Sequence, residues 1–383
     1  MTIRPFTIET PDSALADLKR RLERTRWPGE IPGSRWDYGA DSAYMRELAG
    51  YWQNSFDWRR QERMLNEFDQ FKAEIDGQDV HFVRRRGRGP NPIPLLLLHG
   101  WPSTFFEFYK IVGPLADPAA HGGGPADAFD IVAPSLPGYG FSDAPQVPGA
   151  GVAWIADRLG RLMTGVLGYE RFAAHGGDWG AAVTNRLAVA FPRQVIGIHV
   201  TRALSRGAPS PKKPLSPEAQ QRRERLARFQ REEYGYAEIQ RTKPQSLAYG
   251  LNDSPVGLAA WIVEKWRRWT DCGGEVERVF TKDELLTNVM IYWLSGAINS
   301  SARLYYEEFH QPTRVPKGQR IDVPMGAAFF PKDFAPPPRQ DAEGVYSDIR
   351  RWTVFQEGGH FPALERPDVL VDELRAFFQP LRS

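Results

Sequence analysis

The spacing of apolar positions changes character several times along the chain. From Thr10, TPDSALADLKRRLERTRW sets Leu15, Leu18 and Leu22 at helical spacing behind a capping signal, with Pro28 to end the helix. Helical patterns follow over 41–52 and 58–68, so residues 1–70 predict a helical, tryptophan-rich region. The period then drops to two: FKAEIDGQDVHFVRRRG alternates on both sides of Asp76-Gly77, a hairpin signature. Short apolar runs suited to strands covered on both faces come next: PLLLLHG at 94–100, FDIVAPS at 129–135, RFAAHGGD at 171–178 and VIGIHV at 195–200. Between them, Val152, Ile155, Leu159, Leu162 and Val166 share one helix face, and AAVTNRLAVAF supplies another helix before Pro192. Alternation of this kind predicts an α/β core around a mostly parallel sheet.

After Thr201 the alternation stops. RALSRGAPSPKKPLSP reads as a linker, with Ser216 as N-cap and Pro217 at the first position of a helix. From there to about residue 310 the patterns are helical, and strands resume only at VPMGAAFF, 323–330, and near 352–355. The predicted organisation is a helical region over 1–70, a core over 71–205 and 311–383, and a helical cap over 206–310 inserted into that core. No internal repeat or long low-complexity tract interrupts it.

Composition excludes several classes. The 383 residues exceed the usual single domain, which fits one large core with insertions. Hydrophobic residues at 42% and charged residues at 25% are ordinary globular usage. The formal net charge is +2, so no global field recruits nucleic acid or an anionic membrane. The one basic run, Arg84, Arg85, Arg86 and Arg88, is broken by Gly87 and reads as a solvated turn. The lone cysteine, Cys272, has no partner for an intramolecular disulfide, which points to a reducing compartment. The amino terminus lacks the order of a secretory signal, and no apolar run reaches the length of a membrane-spanning helix, about 18 residues. A soluble, cytoplasmic protein is expected.

Candidate chemistry centres on Gly176-Gly177-Asp178-Trp179-Gly180, which fits the small-x-nucleophile-x-small pattern of a strand-to-helix elbow. A serine there would suggest an esterase. A carboxylate attacks saturated carbon and leaves an ester on the enzyme, so the substrates are alkyl electrophiles such as epoxides or haloalkanes. Alone, the motif is equally a glycine-rich turn whose Asp caps the next helix. Hydrolysing such an ester takes a base, and His360 in EGGHFPALERP stands last in chain order, as an α/β-hydrolase requires. Asp333, just beyond the strand VPMGAAFF, is the best candidate to orient it; Asp322 at the other end of the strand and Asp348 compete. His99-Gly100-Trp101-Pro102 follows PLLLL where an oxyanion loop belongs, and the holes are assigned to the main-chain N–H groups of Trp101 and Trp179. By itself HGWP is equally a structural turn under a packed Trp.

In ordered blocks the chain resembles the microsomal-type epoxide hydrolases: RPFTIETPDSALADLKRRLERTRWP, HGWPSTFFEF, PSLPGYGFSDAP, HGGDWG, TKPQSLAYGLNDSPVGLAAWIVEKW, LLTNVMIYWLSG and GGHFPALERP. The resemblance implies an α/β-hydrolase fold and two cap tyrosines that grip and protonate the epoxide oxygen, carried over to Tyr236 and Tyr305, with neighbours Tyr234 and Tyr306 as the alternative registers. A phenol, with a pKa near ~10, stays a proton donor at neutral pH. Three departures stand out: the apolar anchor helix of membrane-bound members is missing, the orienting acid is Asp where some relatives have Glu, and His175 stands where similar sequences often have an amide.

The expected activity is conversion of an epoxide and water to a vicinal diol through an ester on Asp178, without metal or organic cofactor. The alternatives are a haloalkane dehalogenase, which would need halide-binding N–H donors in place of two phenols, or a catalytically silent binding homologue. The expected partner is a bulky, apolar or aromatic epoxide, with no nucleic acid and no membrane anchor; a homodimer is left open, and so is the role of His175.

Overall fold

The structure, a computed structural model, describes residues 2–205, 217–333 and 335–382. The chain opens with a short strand, β1 (Ile3–Pro5), and three helices, α1 (Asp12–Glu23), α2 (Ser42–Asn54) and α3 (Trp58–Asn66). The expected hairpin is β2 (Asp69–Ile75) and β3 (Gln78–Arg85), turning through Asp76 and Gly77, both at positive φ. Strands and helices then alternate: β4 (Ile93–Leu98), α4 (Tyr109–Ala116), β5 (Phe129–Pro134), α5 (Val152–Arg161), β6 (Phe172–Gly176), α6 (Asp178–Ala190) and β7 (Val195–Val200). Between β7 and β8 (Met325–Phe329) lie α7 (Pro217–Glu232), α8 (Gly235–Thr242), α9 (Pro244–Leu251), α10 (Pro255–Trp269), α11 (Lys282–Ser295) and α12 (Ile298–His310). The chain closes with α13 (Arg339–Glu343), β9 (Ile349–Val354), α14 (Pro362–Glu365) and α15 (Pro367–Phe378).

Among the described residues, nine strands form one sheet in the order β1-β2-β3-β5-β4-β6-β7-β8-β9. The β1, β2 and β3 edge is antiparallel, and so is the pairing of β3 with β5; from β5 to β9 every pairing is parallel. β5, β6 and β8 are buried at every position, as strands covered by helices on both faces must be. Parallel strands align their carboxyl ends, so the loops after β4, β6 and β8 open on one edge of the sheet, where α/β folds place their sites.

The structure corrects three details. Residues 1–70 are not wholly helical, because β1 pairs with β2 and extends the sheet. Thr10 does not cap α1: Pro11 occupies the cap position without a side-chain bond, and the Thr10 hydroxyl instead accepts from Trp58 Nε1 at 2.8 Å. The helix expected through Val166 ends at Arg161 and continues as a wider π turn over Leu162–Val166. The Ser216 cap and most of the expected linker lie outside the described residues.

Candidate active site

Asp178 follows β6 and opens α6 with φ at 46°, a left-handed conformation that is strained for a residue with a side chain. The strain holds the carboxyl above the sheet edge. Tight packing underneath makes it possible: a Cβ on Gly180 would lie 1.9 Å from the Leu98 carbonyl oxygen, so only glycine lets α6 approach β4. A Cβ on Gly100 would meet Asp178 Oδ1 at 2.3 Å, so the loop after β4 is glycine where it passes the carboxylate. The next main-chain N–H, that of Trp101, donates to Asp178 Oδ1 at 2.9 Å. The N–H of Trp179 lies in the first turn of α6, where no intrahelical acceptor is available.

His360 sits on the loop between β9 and α14, sealed from solvent. Its Nδ1 is 2.7 Å from Asp333 Oδ1, and its Nε2 is 3.8 Å from Asp178 Oδ2. Asp333 follows β8, which parallel pairing places beside β9. The competing acids are engaged elsewhere: Asp322 with the Ser347 hydroxyl at 2.6 Å and Asp348 with Arg350 at 2.9 Å. Burial lowers the His360 pKa, but Asp333, by charge and hydrogen bond, together with Asp178 and Glu107, outweighs it and raises the imidazole to about 9.

The helices between β7 and β8 close the site from above. Tyr236 and Tyr305 are both buried, with ring centroids 5.8 Å apart and planes at 81°. Tyr236 stacks on Trp101 at 5.0 Å, and Tyr305 meets the Trp179 edge at 4.8 Å. Together with Asp178, Trp179, Arg202, Tyr234 and Phe309, these two phenols line a cavity of about 240 Å³. Burial, with the negative charge of Asp178, pushes both phenols well above the ordinary tyrosine range, so they stay protonated. Tyr306 points away and stacks on His310 at 4.0 Å, whereas Tyr234 also borders the cavity.

Sequence reading missed three neighbours. Trp269 packs its ring 5.0 Å from His360 and 5.2 Å from Tyr236, and its carbonyl accepts the His360 N–H at 2.9 Å. Ser103 and Glu107, buried behind the Gly100 loop, bond to each other. The EKWRRW and HGWPSTFFEF segments held these residues, but nothing in their spacing aims them at the site. His175 lies beneath the elbow, bonded to His199 at 3.0 Å, and does not line the cavity. Among the described residues, no group of three or more His, Cys, Asp or Glu side chains converges as a metal site, and no helix is long and apolar enough to cross a membrane.

Comparison with known proteins agrees along the whole chain. The family described as epoxide hydrolase N terminus matches residues 3–108, and that described as alpha/beta hydrolase fold matches residues 93–246. A relative from Stigmatella aurantiaca is 42% identical over 100% of this chain and 86% of its own length. Epoxide hydrolase 1 of Sus scrofa is 37% identical over 98% of this chain and 88% of its own. The crystal structure of juvenile hormone epoxide hydrolase from the silkworm Bombyx mori superposes with a TM-score of 0.89 at 31% identity, covering 100% of this chain and 95% of that one. With a site and a fold that agree, the chain belongs to the epoxide hydrolases of the microsomal type, built on the α/β-hydrolase fold.

Proposed function

We propose that Asp178 opens an epoxide by attack of Oδ2 on a ring carbon. The supporting observation is the split role of the two oxygens: Oδ1 is held by the Trp101 N–H, while Oδ2 lies toward His360 in a cavity shared with two phenols. As the carbon–oxygen bond breaks, Tyr236 and Tyr305 hydrogen-bond the departing oxygen and one of them gives it a proton. The product of this step is a hydroxyalkyl ester on Oδ2.

Esterification removes the Asp178 charge, one of the charges that raise the His360 pKa. The imidazole then releases its proton more readily, restoring the phenol deprotonated in ring opening, and serves as base. Water loses a proton to His360 Nε2 and attacks the ester carbonyl carbon, and negative charge gathers on Oδ1 against the N–H groups of Trp101 and Trp179. Collapse expels the diol oxygen, which takes the proton from His360, and the Asp178 carboxyl then gives its own proton to the imidazole, which restores the carboxylate. Asp333 holds the ring in its tautomer and balances the imidazolium.

In heavy-oxygen water, a single turnover should label the Asp178 carboxylate and leave the diol unlabelled. Label in the diol after one turnover would instead mean direct attack by water. The aromatic lining supports bulky, apolar or aromatic epoxides as substrates, and diol formation across a panel of chiral epoxides measures that preference. In this reading residues 71–205 and 311–383 carry the nucleophile, base and acid, 206–310 cap them, and 1–70 brace the cap. All the groups come from one protomer, so a homodimer is not needed for chemistry; sedimentation reads the assembly. A cytoplasmic location belongs to the same reading, supported by a single, buried cysteine.

A further inference from the structure

The Gly100–Trp101 peptide has two ends, and only its N–H faces Asp178. Its carbonyl oxygen receives Ser103 Oγ at 3.1 Å and His99 Nδ1 at 3.2 Å. The proton positions can be assigned. The Leu136 N–H donates to His99 Nε2 at 3.1 Å, and burial lowers this ring to about 4, so it is neutral with its proton on Nδ1, directed at the carbonyl. Ser103 Oγ also bonds Glu107 Oε2, yet a hydroxyl has one proton to give. If Ser103 donates to Gly100, the Glu107 contact must carry a proton of its own, from carboxyl to hydroxyl. If Glu107 ionises, Ser103 turns to the carboxylate and the Gly100 carbonyl loses a donor.

Glu107 is only 6% exposed, a setting that favours the neutral acid. Burial, backed by the charges of Asp178 and Asp333, raises it to about 7 against the opposing effects of Ser103 and His360. The loop backbone has separate anchors: Asn288 Nδ2 donates to the Pro102 carbonyl at 2.8 Å and the Tyr292 hydroxyl to the Ser103 carbonyl at 2.9 Å.

We propose that protonated Glu107 and Ser103 are positioning residues, a donor relay onto the Gly100 carbonyl that orients and polarises the Trp101 N–H toward Asp178 Oδ1. The proposal rests on Asp178 as the nucleophile. Hydrogen bonds in series strengthen one another by ~10–30% each. Charge on Oδ1 falls as the ester forms and rises as it is hydrolysed, so the relay assists hydrolysis selectively. A merely structural role would slow both steps.

The test is a single-turnover experiment with styrene oxide, following formation and decay of the ester by quenched mass spectrometry. S103A, which removes one hydroxyl and keeps the backbone anchors, should slow ester decay about tenfold, a fraction of the 10²–10³ lost when a whole oxyanion donor is removed. Ester formation should stay within about twofold of wild type. E107L, whose Ser103 keeps its bond to Gly100 but loses the donor behind it, should slow decay measurably but less than S103A, the double variant should be no slower than S103A, and E107Q, whose amide N–H can donate to Ser103, should restore decay. Equal slowing of both steps in S103A, unchanged decay in S103A, or E107Q as slow as E107L overturns the relay. Should E107L fail to fold, S103A and E107Q decide alone. If H360Q accumulates no ester on Asp178, the nucleophile itself is wrong, which is a different failure from an ester that forms and decays normally in S103A.

Discussion

His360 and His199 are both sealed from water and both face a buried carboxylate. His360 Nδ1 lies 2.7 Å from Asp333 Oδ1, and its pKa is raised to about 9. His199 Nε2 lies 3.7 Å from Glu373 Oε1, beyond hydrogen-bond reach, and its pKa is lowered, chiefly by burial. Glu373 is already committed: Arg351 holds both its oxygens at 2.7 Å and the Thr353 hydroxyl donates at 2.8 Å. Burial opposes the charge of both rings to the same end, and the partner decides the outcome. An acid that hydrogen-bonds the ring makes a histidine basic, and an acid whose two oxygens are held by arginine, out of reach of the ring, leaves it neutral. His199 then serves the core, bonding His175 at 3.0 Å beneath the elbow.

Exchanging the rings should separate these roles most sharply. His360→Gln should lower steady-state turnover by about 10³–10⁴ and let the ester accumulate, seen as a mass increase on Asp178. His199→Gln should keep kcat within about threefold and cost about 1–3 kcal/mol of unfolding free energy, measured by denaturant titration. A turnover loss in His199→Gln as deep as in His360→Gln would erase the distinction.

Asp333→Asn comes next in size. Losing the carboxylate charge removes the strongest force holding the His360 pKa up, so turnover should fall about 10²–10³ and the imidazole should titrate well below 9 by NMR.

A third buried histidine tests the neutral case through stability. His81 bonds Ser135 and Gln70 at 2.8 and 2.9 Å, and burial lowers it to about 3. Its folded pKa is below the unfolded 6.5, so the unfolded chain binds the extra proton. Its contribution is therefore full above pH 6.5 and is lost as pH falls toward 3. The stability gap between wild type and His81→Gln should shrink by about 2 kcal/mol from neutral pH to pH 5. A gap that widens would mean a charged His81. The smallest effect is expected from Arg351→Met: Glu373 loses its cation, the His199 pKa should rise in an NMR titration, and kcat should be unchanged.

Legibility in the sequence followed the range of the interactions. The elbow was readable because glycines, a carboxylate and a strand end are neighbours in the chain, and His360 and Asp333 were readable because parallel strands bring their following loops to one edge. β1 was missed because three edge residues hold no alternation to read. The Tyr305 register came from resemblance; adjacent residues on α12 point about 100° apart, and packing against Trp179 sends Tyr305 inward while Tyr306 stacks on His310. Ser103 and Glu107 were in view as part of HGWPSTFFEF, but a proton shared between them is a property of a buried contact.

The sequence alone determined the layered α/β architecture, the helical insertion and an acid at a strained turn, because hydrophobic period and glycine spacing act within a few residues. Only the tertiary structure decided which histidine is charged, which oxygen of Asp178 is held and which tyrosine faces it. Those depend on distances between distant segments in a low-dielectric interior, where a shift of about one ångström changes the partner and with it the charge.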